Sequence, residues 1–225
     1  GTYLDPGFTG IVVVLGTLLS LIYYGQKKEI RYFCLFLFIL ITVVFTYSRA
    51  SYIALFIGSI IHLFVFAKKR SSFFIIATIF ILTLFLLPRL ASEGTLLERT
   101  QSIYARLANY RQTLELYSQY PVFGLGFNNL CSARLRNFGG LETSHACSGS
   151  DSSLLFVLVT TGVVGFWIFL NSLYQILLSV SRNIYGKAFI ICSSSLFIHS
   201  FFANSLFYAG IMGFMSIFLA ISLKD

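Results

Sequence analysis

Apolar runs long enough to cross a bilayer, or nearly so, recur at 8–24, 32–47, 52–67, 72–88, 153–178, 188–204 and 206–222. Short polar connections separate most of them: Gly25–Arg31, Ser48–Ser51, Lys68–Ser71, Ser181–Lys187 and a tight turn near Ala203–Ser205. One polar stretch is long, from Arg89 to Ser152. The pattern predicts an all-α, polytopic membrane protein with about seven transmembrane helices, one domain over 1–225 and a single large loop at 89–152. Several runs sit at the short end of what spans, so flanking residues must reach the interfaces.

Composition sharpens this. The chain is 57% hydrophobic and only 11% charged, with mean hydropathy +0.83, which excludes an ordinary soluble domain. A net charge of +8 would suggest nucleic acid in a soluble protein; here it reports orientation, and no nucleic-acid partner is expected. Alternate connections share a side. One set carries Lys27, Lys28, Arg31, Lys68, Lys69, Arg70, Arg182, Lys187 and Lys224 against Glu29 and Asp225. The other carries seven arginines against Asp5, Glu93, Glu98, Glu115, Glu142 and Asp151. Every lysine falls in the first set, which the positive-inside rule makes cytoplasmic. The long loop is then expected to face outward. The chain starts Gly-Thr-Tyr, with no initiator Met and no signal pattern, and reads as the C-terminal part of a longer polytopic protein.

Cys34 and Cys192 fall within spans, as small apolar side chains. Cys131 and Cys147 share the outward loop, either as two free thiols or as a disulfide. The disulfide would add roughly 3 kcal/mol by loop-closure entropy.

Within the loop, Thr95–Tyr120 predicts a helix ended by Pro121 and the Gly124-Leu125-Gly126 turn. Leu96, Ile103, Leu107, Tyr110, Leu114 and Tyr117 form an apolar stripe, with Arg99 and Arg106 on its edge. Such a helix suits the headgroup plane, where guanidinium forks either pair with phosphates or simply snorkel. Arg111, Arg134 and Arg136 add to the positive charge. Arg49, between two spans, either marks an anion path or anchors a helix end. His145 is a candidate base or a solvated loop histidine, and Asp151 is a candidate acid–base group or an N-cap. His62 and His199 read as buried hydrogen-bonding residues within spans. No paired metal-ligand spacing, phosphate-binding glycine loop or nucleophile elbow is present, so no cofactor is expected.

Four segments, taken in order, carry a resemblance. Gly1-Thr-Tyr-Leu-Asp-Pro6 precedes a span; Thr46-Tyr-Ser-Arg-Ala-Ser51 follows; Arg106-Leu-Ala-Asn-Tyr110 runs on to Pro121-Val-Phe-Gly-Leu-Gly126; Asp151-Ser152 is followed, after nine residues, by Gly162-Val-Val-Gly165. Together they resemble the O-antigen ligase and polymerase superfamily of bacterial inner-membrane glycosyltransferases. The likeness implies transfer of a glycan from an undecaprenyl-pyrophosphate carrier to a sugar hydroxyl at the periplasmic face. It implies Arg49, Arg106, Asp151 and His145 as catalytic candidates, with Arg99, Arg111, Arg134 and Arg136 binding substrate and no metal. The implied partners are the carrier-linked glycan, the bilayer, and a chain-length regulator and flippase of the same pathway.

One departure stands out. The family pattern has histidine where this chain has Asp151, and the nearest histidine, His145, lies six residues upstream. Either Asp151 takes the role of base, or His145 reaches in, or no side-chain base is needed. The replacement argues against a standard ligase and, with the high Phe and Tyr content, favours a polymerase. A ligase acting on lipid A-core or another acceptor is the close alternative. A lipid-linked sugar flippase is the alternative of a different class.

Overall fold

The computed structural model describes residues 6–66, 93–139 and 145–223, with residues 6, 93–103 and 145–146 described as backbone only. The helices among them are α1 (Pro6–Lys27), α2 (Ile30–Phe45), α3 (Arg49–Phe66), α4 (Glu93–Gln119), α5 (Leu130–Phe138), α6 (Ser153–Ser179), α7 (Ile184–His199) and α8 (Ala209–Ser222). A 3₁₀ turn covers His145–Ser148, and Val180 and Leu223 form an isolated antiparallel bridge. No strand occurs among the described residues.

By length and composition, Gly7–Lys27, Arg49–Phe66 and Ser153–Ser179 can each cross a membrane, and α2, α7 and α8 are shorter apolar helices. Their outer faces are strongly apolar: Phe64 is 80% exposed and Trp167 72%. That arrangement is stable against lipid and not against water. The expected span 72–88 lies outside the described residues, as do the first five residues of the chain and the Lys68–Ser71 connection.

Several helix boundaries differ from the sequence pattern, two of them for a visible reason. The run 188–204 is helical only to His199, because the carbonyls of Ser200 and Ala203 are used by the start of α6. Ser153 N donates to Ser200 O at 3.0 Å and Ser153 Oγ to Ala203 O at 3.3 Å. The expected Ser48–Ser51 connection is largely the first turn of α3. Ser48 caps it, its Oγ accepting from Ser51 N at 3.4 Å, so Arg49 is the first helical residue.

The chain divides into two compact units. The first holds α1, α2, α3, α7 and α8, around Ile11, Val14, Leu18, Val43, Tyr52, Ile191, Leu196 and Ile211. Small residues bring its helices close, as in membrane bundles. A Cβ at Gly58 would come within 2.6 Å of Leu18 and 3.2 Å of Ser195, and one at Gly10 would overlap the Ser51 hydroxyl. Ser195 Oγ donates across to Ala54 O at 2.8 Å. His199 is fully buried here, with Nδ1 3.1 Å from Ser205 Oγ and Nε2 3.4 Å from Ser51 Oγ. The hydrogen-bonding expectation holds for His199, whereas Nδ1 of His62 has no partner among the described residues. His62 packs on the Phe66 ring instead.

The second unit holds α4, α5, α6 as far as Leu178 and the Ser200–Asn204 turn, around Leu116, Leu130, Ala133, Phe156 and Val159. Its organising feature is a break in α6 at Gly162, whose φ of 66° and ψ of −172° interrupt the helix. A continuous helix would pair Val163 N with Val159 O and Val164 N with Thr160 O. The Pro121–Gly126 segment takes all four groups. Leu125 N donates to Val159 O (2.9 Å) and Gly126 N to Thr160 O (2.8 Å). Val163 N donates to Pro121 O (2.9 Å) and Val164 N to Val122 O (3.2 Å). The chain that leaves α4 is thus spliced into the hydrogen-bond ladder of α6, and backbone that a membrane helix could not leave unpaired is satisfied.

Candidate active site

Exposure varies both around helix α4 and along it. Arg106, Leu107, Arg111 and Leu114 are exposed, while Thr113 and Leu116 are buried and Asn109, Tyr110 and Tyr117 half-buried. The face buried in the protein holds Thr113 and Leu116 with Asn109 half-buried, while Leu107 and Leu114 of the apolar stripe stay exposed. An asparagine and a threonine inside a helix weaken it unless their polar groups are used. Both are used here. Asn109 Oδ1 accepts from the backbone N–H of Asp151 at 3.1 Å and from Ser150 Oγ at 3.4 Å. Thr113 Oγ1 accepts from Arg134 Nη2 at 2.9 Å.

Arg134, only 2% exposed, ties three segments together. Besides Thr113 of α4, its Nη1 donates to Cys147 O at 3.1 Å and to Gly149 O at 2.7 Å. Burial pulls its pKa down from the usual arginine value, and the negative charge of Asp151 pushes it back up. The Cys131–Cys147 disulfide joins α5 to the same strip of chain, with the two Cα atoms 4.7 Å apart. The residues that lead into Asp151 are thus held by a guanidinium, a disulfide and the Asn109 side chain.

The N-cap of α6 is Ser152, whose Oγ accepts from Leu155 N at 3.4 Å and donates to Ser200 O at 3.1 Å. The capping reading of Asp151 therefore passes to its neighbour. Asp151 is half-buried and faces Tyr110 electrostatically. Burial raises the Tyr110 phenol above its usual value, the Asp151 charge raises it further, and the Arg106 charge lowers it. Tyr110 OH also donates to Phe201 O at 3.3 Å. The Tyr110 phenol therefore feels both the Asp151 carboxylate and the Arg106 guanidinium. A carboxylate there can take a proton from a hydroxyl, and an exposed guanidinium can pair with a phosphate.

The other candidates fall elsewhere. Arg111 and Arg136 are exposed on α4 and α5. Arg99 lies on α4 and His145 begins the 3₁₀ turn, and the side chains of both lie outside the described residues. Arg49 belongs to the first unit, exposed at the start of α3. Among the described residues no three His, Cys, Asp or Glu side chains gather as a metal site. Sequence reasoning missed Asn109 and Thr113; the available signal was two helix-weakening polar residues three and seven positions after Arg106, on its side of the helix.

Residues 33–170, well over half of the 225-residue chain, match the family model described as O-antigen ligase, Wzy_C. No curated protein matches the chain.

Proposed function

The chain belongs to the O-antigen ligase (Wzy_C) family, and on that premise we propose that it is the polymerase of a polyprenyl-linked surface polysaccharide. The observation that carries the reading is the placement of Asp151. It stands at the family's histidine position, its backbone N–H held by Asn109 and its charge felt by Tyr110, which also feels Arg106. In the proposed reaction the Asp151 carboxylate accepts the proton of an acceptor sugar hydroxyl. That oxygen bonds to the anomeric carbon of the donor as the carbon–oxygen bond to the carrier pyrophosphate breaks. The lipid pyrophosphate leaves with the bonding pair.

Charge on that leaving group is met by arginine. A guanidinium about 4 Å from a phosphate oxygen contributes up to roughly 4 kcal/mol at an effective dielectric near 20. Only the part that strengthens in the transition state speeds the reaction. Arg106 takes this role, assisted by Arg111 or Arg99, with no metal required. Arg49 is a further pyrophosphate-binding candidate on the strength of its Thr-x-Ser-Arg sequence. Arg134 is assigned a positioning role, since its donors already serve Thr113, Cys147 and Gly149. The site faces the periplasm of the bacterial inner membrane, in keeping with the arginine-rich and lysine-free composition of the loop. A chain-length regulator and a flippase of the same pathway are the partners this role needs.

The second reading is a ligase that moves finished glycan to lipid A-core, and the description of the matched family favours it. A glycan-length gel on a deletion strain separates the two. Acceptor capped with a single unit indicates a lost polymerase. Polymer accumulated on the carrier indicates a lost ligase. Single units retained in the cytoplasm would point instead to a flippase.

A further inference from the structure

We infer that the tip of the Pro121–Phe127 segment is inserted in the bilayer, with Val122, Phe123 and Phe127 lying among lipid acyl chains. The stretch from Leu116 to Ala133 contains no charged residue. At its tip Phe123 is 76% and Phe127 74% exposed, with Val122 about half exposed, and the exposed polar residues Gln119, Asn128 and Asn129 flank it on either side. On a water-facing loop three such side chains would form a costly patch.

The splice into α6 sets the depth. Gly162 lies nine residues after Ser153 and seventeen before Ser179, about 13 Å and 25 Å of helix respectively. A hydrocarbon core of about 30 Å covered by this helix places Gly162 between about 4 and 13 Å inside the outer boundary, however the helix slides. The backbone of Val122 and Phe123 lies directly against Gly162, so the tip shares that depth. Val163, Trp167 and Ile168, beyond the break, continue the same exposed apolar surface. The polar boundary comes one turn earlier, where Gln119 Nε2 donates to Asn137 Oδ1 at 3.3 Å. Irregular backbone is tolerated at such depth when its polar groups are paired, and here the α6 break supplies partners for Pro121 O, Val122 O, Leu125 N and Gly126 N. The C-terminal end of the helix that bears Arg106 is thereby fastened to the membrane. The inference is independent of which acceptor the enzyme uses.

The chain has a single tryptophan, Trp167, which makes a direct test available. In a Trp167→Phe background, Phe123→Trp is reconstituted in phosphatidylcholine vesicles. Its emission is compared under acyl-chain-brominated lipid and under aqueous iodide, with Tyr104→Trp on exposed α4 as the reference. The expected result is loss of Phe123→Trp emission with brominated lipid and little loss with iodide, and the reverse for Tyr104→Trp. Quenching by iodide, or by neither agent, overturns the inference. Phe127→Trp, read in the same way, decides the matter if the Phe123→Trp chain does not fold.

Discussion

Gly124 and Gly162 lie backbone against backbone: a Cβ on Gly124 would stand 2.5 Å from the Gly162 amide nitrogen, and one on Gly162 would overlap the Val122 carbonyl. Both have positive φ, 71° and 66°. Alanine at either position should therefore meet two costs, about 1–2 kcal/mol for the left-handed backbone and a collision with main chain that cannot move aside. Gly139 supplies the comparison, since its φ is 60° but nothing among the described residues lies within 4 Å of an added Cβ. Thermal unfolding of the detergent-solubilised protein should show Gly139→Ala mildly destabilised, and Gly124→Ala and Gly162→Ala severely so. Equal effects at all three positions would contradict the splice.

Arg134 and Arg136 sit two positions apart on α5, one buried and one exposed, and should respond oppositely. Arg134→Ala strips two loop carbonyls and Thr113 of their donor and opens a void, at a cost of roughly 3 kcal/mol. Arg134→Lys should rescue little, because one ammonium cannot replace a fork that reaches Thr113 and the carbonyls of Cys147 and Gly149 together. Arg136→Ala should stay within about 0.5 kcal/mol of the parent. Thermal unfolding midpoints decide this.

The Cys131–Cys147 bridge closes a loop with a sequence separation of 16, worth about 3 kcal/mol in the entropic account. Reductant, or Cys131→Ser, should lower the unfolding midpoint by a comparable amount, and adding reductant to Cys131→Ser should lower it no further. A second drop would mean that another bond, not this one, is being reduced.

Arg106 is exposed, so Arg106→Ala should abolish polymer while leaving protein level and unfolding midpoint unchanged. Arg49→Ala is expected to do the same. Near-normal polymer in both would remove the arginines from the reaction. At the base, Asp151→Asn should be inactive and His145→Ala active; the opposite pair of results would move the role to His145.

Much of this was readable in the chain. Among the described residues the apolar runs mark helices, and Pro121 follows the end of α4. What escaped depends on partners distant in sequence. Gly162 and Gly165 leave the helical periodicity of their apolar run intact, so the break at Gly162 follows from Leu125, Gly126, Pro121 and Val122, which lie about forty residues upstream. The protein-facing side of α4 follows from hydrogen bonds that hydrophobicity does not report: Asn109 accepts from Ser150 and Asp151, and Thr113 from Arg134. In the same way, nothing local distinguishes Arg134 from Arg136; the Cys147 and Gly149 carbonyls do.

The central claim is that this member of the family elongates carrier-linked glycan rather than moving it to a different acceptor. The most direct measurement supplies the purified chain, in lipid bilayers, with undecaprenyl-pyrophosphate-linked repeat units alone and resolves the products by size. A ladder of carrier-linked oligomers, absent with Arg106→Ala and Asp151→Asn, is the predicted result. No elongation, with transfer only once lipid A-core is added, would contradict it.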